Sequence, residues 1–248
     1  MRNSGPTVLL GVTGSVAAFR AVDLASRLTQ KGYRVDVVLT VGALRFVRPL
    51  SFEAVTHRCV YTDESPGILA GRAIHIELAE RAGVVLVAPA SADLIGRYAC
   101  GLAPDLLSSS LLAASAPVLL APAMNAQMWM HPAVRDNVAR LQNRGVRWIG
   151  PESGLLSCGT EGPGRLWPVD RLCDEIEAVL PPAASLATAA KPAGKWLAAL
   201  KERAFSLSRE RGASKEVSKM TEKKKPAKKP AAKKAEKNDK KGPTAKKK

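Results

Sequence analysis

Short apolar runs rich in β-branched residues alternate with stretches of helical spacing from residue 7 to residue 149, and few folds accommodate that pattern. A strand buried on both faces reads as a continuous apolar run, and successive parallel strands need a crossover, usually helical, to lie side by side. Runs of this kind stand at Thr7–Val12, Arg34–Leu39, 84–88, 118–121 and 146–149. Between the first two, Val16, Phe19, Leu24 and Leu28 recur at mainly helical spacing up to a stop at Lys31-Gly32. Helices are predicted at 94–100, 106–114 and 132–142, the last ending at Gly145, with 43–52 helical in part and His75 early in a short helix. The alternation predicts an α/β fold, a doubly wound, flavodoxin-like parallel sheet with helices on both faces. Asp170 is the expected N-cap of a final helix, with Leu172, Ile176, Val179 and Leu180 on one face.

Charge marks where the pattern stops. Residues 182–248 carry 21 Lys+Arg against 6 Asp+Glu, a net +15, whereas residues 1–181 carry 17 against 16, a net +1. The expected organisation is one domain over 1–181 and a Lys/Ala/Pro-rich low-complexity tail over 182–248, with a short amphipathic helix at 195–207. The rest of the tail is too poor in apolar surface to offset its ordering entropy and is expected to be disordered. Such a polycation binds nucleic acid weakly by counterion release, but lacks the aromatics of a sequence-specific reader. A domain of this length buries a core without covalent staples. Cys59, Cys100, Cys158 and Cys173 form no Cys-x-x-Cys pair and have no His at ligand spacing, so no zinc site or disulfide framework is predicted and a reduced cytoplasm is expected. The longest apolar stretch, 111–124, is interrupted by Ser115, Pro117 and Pro122. It falls short of the roughly 20 residues of a membrane span, and no membrane association is expected.

Four segments carry chemistry. The turn Gly11-Val12-Thr13-Gly14-Ser15 joins the first strand to a helix, presenting backbone N–H groups and a hydroxyl to an anion. It is not Gly-x-Gly-x-x-Gly, and the second strand ends in Thr40 with Asp36 inside it, which favours a mononucleotide over a dinucleotide. Asn125 follows an apolar strand in Pro122-Ala123-Met124-Asn125-Ala126-Gln127-Met128-Trp129, at the carboxyl edge where α/β sheets collect ligands. Its neutral amide can read a carboxylate, and an Asn there also caps a following helix. His75, in Ile74-His75-Ile76-Glu77, stands where the positive end of a helix favours a neutral imidazole able to take a proton. Cys158 lies in a loop of Gly, Ser and Thr, a setting that gives a thiol mobility and access.

In chain order, His75, the turn Pro89-Ala90-Ser91-Ala92-Asp93, the Met-Asn segment 122–129 and Cys158-Gly159 match the motifs of the homo-oligomeric flavin-containing cysteine decarboxylases. The chain resembles that family from about residue 8 to 180. The resemblance implies FMN as cofactor, with Gly14, Ser15, Val16, Thr40, Ser91, Ala92, Asp93, Leu94 and Ala123 in the matching positions; Asp93 stands where the family often has Asn. It also implies decarboxylation of a small-molecule substrate, 4'-phosphopantothenoylcysteine, to 4'-phosphopantetheine in coenzyme A biosynthesis. His75 would act as base on the cysteine part, Asn125 would hold the carboxylate, with Met128 beside it, and Cys158 would be an acid. In that scheme the substrate thiol is oxidised to a thioaldehyde, carbon dioxide leaves to give an enethiol, and the hydride returns with a proton from Cys158. Peptide-cysteine decarboxylases stop at the enethiol and lack that cysteine.

The resemblance further implies trimers or multiples of trimers with the flavin at subunit contacts. Nothing in the chain resembles a ligase domain, so a separate phosphopantothenate–cysteine ligase is expected. Three alternatives remain: a peptidyl-cysteine decarboxylase, a flavin prenyltransferase, and a non-catalytic flavin-binding regulator associated with nucleic acid through the tail. His57 and His131 have no match and are read as solvated or structural, and Cys59, Cys100 and Cys173 as structural.

Overall fold

A computed structural model describes residues 5–181. The elements are β1 (Thr7–Val12), α1 (Phe19–Gln30), β2 (Arg34–Leu39), α2 (Pro49–Thr56), β3 (Val60–Tyr61), β4 (Ile68–Leu69), β5 (Arg72–Ala73) and α3 (Ile74–Arg81). They continue with β6 (Val84–Ala90), α4 (Ala92–Cys100), α5 (Leu106–Ala113), β7 (Val118–Pro122), α6 (Ala126–Met130) and α7 (Pro132–Asn143). Last come β8 (Arg147–Trp148), β9 (Glu152–Leu155), β10 (Glu161–Arg165) and α8 (Val169–Val179).

Six strands form one parallel sheet in the order β3-β2-β1-β6-β7-β8. The doubly wound parallel sheet is as expected; alternation alone could not choose between this order and the five-stranded order of flavodoxin itself. The chain winds outward from β1 to β3, then returns to β6 and winds the other way. The carboxyl ends of β1 and β6 therefore flank the crevice where such sheets take ligands.

Period-two geometry divides the core between the two faces. Val8, Leu10, Val12, Val84, Leu86, Ala88, Leu119 and Ala121 point to the face covered by Leu24 and Leu28 of α1, Phe52 of α2 and Leu172 and Ile176 of α8. Leu9, Val85, Val87, Val118 and Leu120 point to the other, against Leu78 of α3, Leu94 and Ile95 of α4, Leu107 and Leu111 of α5 and Val138 and Leu141 of α7. Each of the buried Val, Leu, Ile and Phe side chains contributes about 1.5–3 kcal/mol. Gly11 makes room for Leu107 in this packing, since a Cβ there would lie 2.5 Å from a methyl of that side chain, which would have to move. Asp36 is buried in β2 and paired with Arg58 at 2.7 Å and Arg81 at 2.9 Å, so it ties β3 and α3 to the sheet.

Three local expectations are corrected. The last helix starts two residues earlier than read, with Pro168 at the N-cap and Asp170 inside the first turn, where its charge meets the helix dipole and Arg27 at 2.5 Å. The glycine-dense segment around Cys158 is a β-hairpin, with β9 and β10 antiparallel. Cys59 and Cys100 are exposed rather than packed; Cys173 is buried, and burial pushes its thiol up to about 11. His131 is structural, its Nδ1 accepting from the backbone of Ala133 as the N-cap of α7. The expected helix at 195–207 and the tail from 182 lie outside the described residues, among which no helix is long and apolar enough to cross a membrane.

Candidate functional site

Four connections, those after β2, β1, β6 and β7, leave the carboxyl rim of the sheet side by side, and hydroxyls tie them together. Thr13, buried after β1, donates to the Pro89 carbonyl at 2.7 Å and accepts from the Ser91 N–H at 2.9 Å. Ser15 donates to the Ala123 carbonyl at 3.1 Å and accepts from Ala17 N–H, so the first turn is fixed to β6 and β7 alike. Thr40, at the end of β2, donates to the Val12 carbonyl at 3.3 Å and accepts from Ala43 N–H at 3.2 Å. Gly14 passes so close to Gly42 that a Cβ on it would lie 3.1 Å from that backbone.

Two cavities open here. One, of about 440 Å³, is walled by Gly14, Ser15, Val16, Ser91, Ala92, Ala123, Asn125, Met128 and Cys158, together with Phe19, Arg20, Phe46, Leu155 and Arg165. The other, of about 540 Å³, is walled by Thr13, Gly14, Thr40, Gly42, Asp63, Ser91, Ala92, Asp93, Arg97, Asp105 and Met128. Gly14, Ser91, Ala92 and Met128 belong to both, so the cavities adjoin. The first-turn N–H groups after Ser15 and after Ser91, which have no intrahelical acceptors, stand where these walls meet.

Asn125 makes two commitments. Its Oδ1 accepts from Gln127 N–H at 2.8 Å as the N-cap of α6, which turns its Nδ2 toward Cys158, 3.4 Å from Sγ. Cys158 sits at the hairpin tip, closed by Leu156 N–H to the Thr160 carbonyl at 2.8 Å and Gly159 N–H to the Leu156 carbonyl at 2.9 Å. Thr160 Oγ1 lies 3.1 Å from the same Sγ. Hydrogen bonds from Thr160, first its hydroxyl and then its backbone, followed by that of Asn125, lower the Cys158 pKa below that of an ordinary thiol.

Glycines seat the hairpin. Met124 N–H donates to the Gly164 carbonyl at 2.9 Å, and Gly164, at φ +140°, leaves no room for a Cβ, which would lie 2.2 Å from the Met124 oxygen. At Gly162 a Cβ would come within 2.9 Å of Ala126. The sulfur therefore reaches the amide because β10 lies directly on the segment that carries the amide.

Asp93 is 70% exposed and pairs with Arg97 at 2.5 Å; Arg97 also pairs with Asp105. Burial pushes the Asp105 carboxyl up, but hydrogen bonds from Ser108 and the Arg97 guanidinium hold it below the usual carboxylate range. Leu94 is wholly buried in the core, with its N–H taken by Ser91 Oγ, and is not among the walls of either cavity. His75 is half-buried in the first turn of α3. That helix runs back against the strands, so His75 is at the same rim, yet it lines neither cavity. Within one chain the amide, the thiol and the anion-sized turn converge and the imidazole does not.

The sequence reading missed Thr13, Thr160, Arg20 and Arg165. Arg20 and Phe19 follow Val16 by one helical turn and were readable as its neighbours; the partners of Thr13 are 76 and 78 residues away and left no local signal.

Comparison with known proteins places this arrangement. The family model described as Flavoprotein matches residues 1–180. The chain is 45% identical over 163 residues to the coenzyme A biosynthesis bifunctional protein CoaBC of Bacillus subtilis, an alignment that takes in 64% of this chain but only 39% of that protein. A PPC decarboxylase mutant complexed with pantothenoylaminoethenethiol superposes with a TM-score of 0.63 at 30% identity, covering 70% of this chain and 97% of that one. The FMN-dependent cysteine decarboxylase SpaF gives 0.61 at 32% identity, covering 68% and 94%.

Proposed function

Because the chain belongs to the flavoprotein family, and within it to the flavin-containing cysteine decarboxylases, we propose that it is an FMN-dependent decarboxylase acting on 4'-phosphopantothenoylcysteine to give 4'-phosphopantetheine. The observation that carries this reading is the approach of Asn125 Nδ2 to Cys158 Sγ, 3.4 Å, at the wall of a cavity that also includes the Gly14–Ser15 turn. The walls suit a flavin mononucleotide. N–H groups and hydroxyls at two helix starts provide for a phosphate and a ribityl chain, and Val16, Phe19, Phe46, Met128 and Leu155 provide apolar surface for a ring. Gly14 in particular brings the backbone of the turn close against Gly42, where a Cβ would lie 3.1 Å from it. Bound FMN supplies the two-electron oxidation of the substrate thiol and the later return of a hydride.

The chain's own residues do the rest. One Asn125 N–H faces Cys158, and the second is available to a substrate carboxylate, whose release as carbon dioxide follows oxidation at sulfur. Arg20 and Arg165 set two cations on the cavity wall, suited to the phosphate of the substrate. Cys158 donates a proton to the enethiol carbon as the hydride returns, giving the saturated aminothiol and leaving a thiolate. His75 takes the proton of the cysteine part from a second copy of the chain. Val16, Phe19, Phe46 and Leu155, between 50% and 70% exposed around the cavity, form an apolar margin that such a copy would cover, in keeping with a trimer or a multiple of trimers.

The test is spectroscopic and chemical. Purified protein should be yellow, release FMN on heating, bleach anaerobically on addition of the phosphorylated cysteine conjugate, and yield 4'-phosphopantetheine by mass spectrometry. A protein that takes up no FMN, or that leaves the conjugate intact, would overturn the assignment.

A further inference from the structure

We infer that Thr160 is a positioning residue for Cys158: its hydroxyl sets the orientation and the proton affinity of the thiol at the hairpin tip. The inference builds on the decarboxylase reading for its consequence in turnover, but its physical basis is independent of any substrate.

Cys158 is on an exposed tip, where a thiol would ordinarily sample several rotamers in water. Here the tip is closed by the two backbone hydrogen bonds that link Leu156 with Thr160 and Gly159 with Leu156, so residues 158 and 160 are held on one side of the turn. Thr160 is β-branched and stiff at χ1, so its hydroxyl stays in place once the backbone is fixed. Oγ1 then sits 3.1 Å from Sγ, while Asn125 Nδ2 approaches the sulfur from α6 at 3.4 Å. The sulfur is thus bracketed by one hydroxyl from its own hairpin and one amide from the rim of the sheet.

A hydroxyl serves both states of the thiol. It accepts from S–H before proton transfer and, by rotating, donates to the thiolate afterwards, so the electron pair left on sulfur meets two donors. The charged groups that share the cavity wall with Cys158 are Arg20 of α1 and Arg165 of β10, and Glu161 opens β10 beside the tip. None of them hydrogen-bonds the sulfur, whose proton affinity is lowered by Thr160, Asn125 and the tip backbone against a smaller opposing effect of desolvation. The acidity of Cys158 is therefore set by neutral hydrogen bonds. Thr160→Val keeps the shape and the branching and removes the donor, whereas Thr160→Ser restores it.

The experiment has two arms, run on the full-length protein with Cys59→Ser and Cys100→Ser, which silences the other exposed thiols. The first follows iodoacetamide alkylation of Cys158 against pH, without substrate. Thr160→Val should alkylate about tenfold more slowly at neutral pH with an undiminished plateau at alkaline pH, and Thr160→Ser should return the parent profile. An unchanged profile in Thr160→Val, or a Thr160→Ser profile displaced as far as that of Val, overturns the inference. The second arm reads the product. The pH at which saturated aminothiol gives way to enethiol should move up in Thr160→Val together with the alkylation profile, and a transition that stays put overturns the link to turnover. If Cys158→Ser makes no enethiol at all, the decarboxylase reading of the cysteine fails, while the alkylation arm still decides the role of Thr160.

Discussion

A single amide at position 125 carries two duties that substitution can separate. Asp ranks with Asn as a helix cap, so Asn125→Asp should leave the thermal midpoint almost unchanged. It places an anion where the substrate carboxylate belongs, and kcat/KM should fall by about two orders of magnitude or more, read by steady-state kinetics beside a melting curve. Cys158→Ser should continue to release carbon dioxide and accumulate enethiol, detected by mass spectrometry. The pH dependence follows from the lowered pKa of that thiol. The proton-bearing form is complete below the pKa and is lost as pH rises through it, so the product should turn toward enethiol on the alkaline side, earlier than for an unperturbed cysteine. Asn125 and Cys158 were legible in the sequence because each is a reactive side chain in a turn among small residues. Thr13 was not, because its partners lie 76 and 78 residues away, and Thr160 was not, because only the hairpin turn shows that its hydroxyl meets the sulfur two residues before it. His75 was legible as an early helical residue, but no local pattern tells which cavity, or whose, it serves.

Five of the six strands of the large sheet were read to within two residues, since runs such as 84–88 are apolar, β-branched and bounded by turn residues, and both faces of the sheet want that composition; the two-residue edge strand β3 was not read. The hairpin of β9 and β10 was not. Its strands are Glu-Ser-Gly-Leu and Glu-Gly-Pro-Gly-Arg, poor in β propensity, and they pair because they rest on Met124 and Ala126. The glycines that argued for a loop are the ones that allow this close docking. Gly164→Ala should therefore act on the hairpin alone. With φ at +140° and the Met124 oxygen 2.2 Å from the new Cβ, the seated geometry should lose about 1–3 kcal/mol. The expected outcome is faster hydrogen exchange over residues 152–165, a nearly unchanged global melting temperature and a larger share of enethiol in the product. Uniform exchange rates between variant and parent would show that the contact at Met124 does not hold the hairpin.

At the level of the whole molecule, the proposed assembly of the site from two copies makes a prediction that no single-chain site shares. Mixing His75→Ala with Asn125→Ala protomers should regenerate some intact sites in hetero-oligomers and recover activity that neither variant has alone. If the mixture stays inactive although mixed oligomers form, the base and the amide come from the same chain. His75→Ala alone should remove turnover, whereas ending the chain at residue 181 should leave it nearly intact. The strand order carries one more consequence, for the chain as it leaves the ribosome. β1 is synthesised first yet lies between β2 and β6, so one of its edges can be satisfied early while the other waits for a partner more than 70 residues downstream. Until that partner arrives, the nascent protein exposes an unpaired apolar strand edge, and this interval is when capture by chaperones or by a neighbouring polypeptide should be greatest.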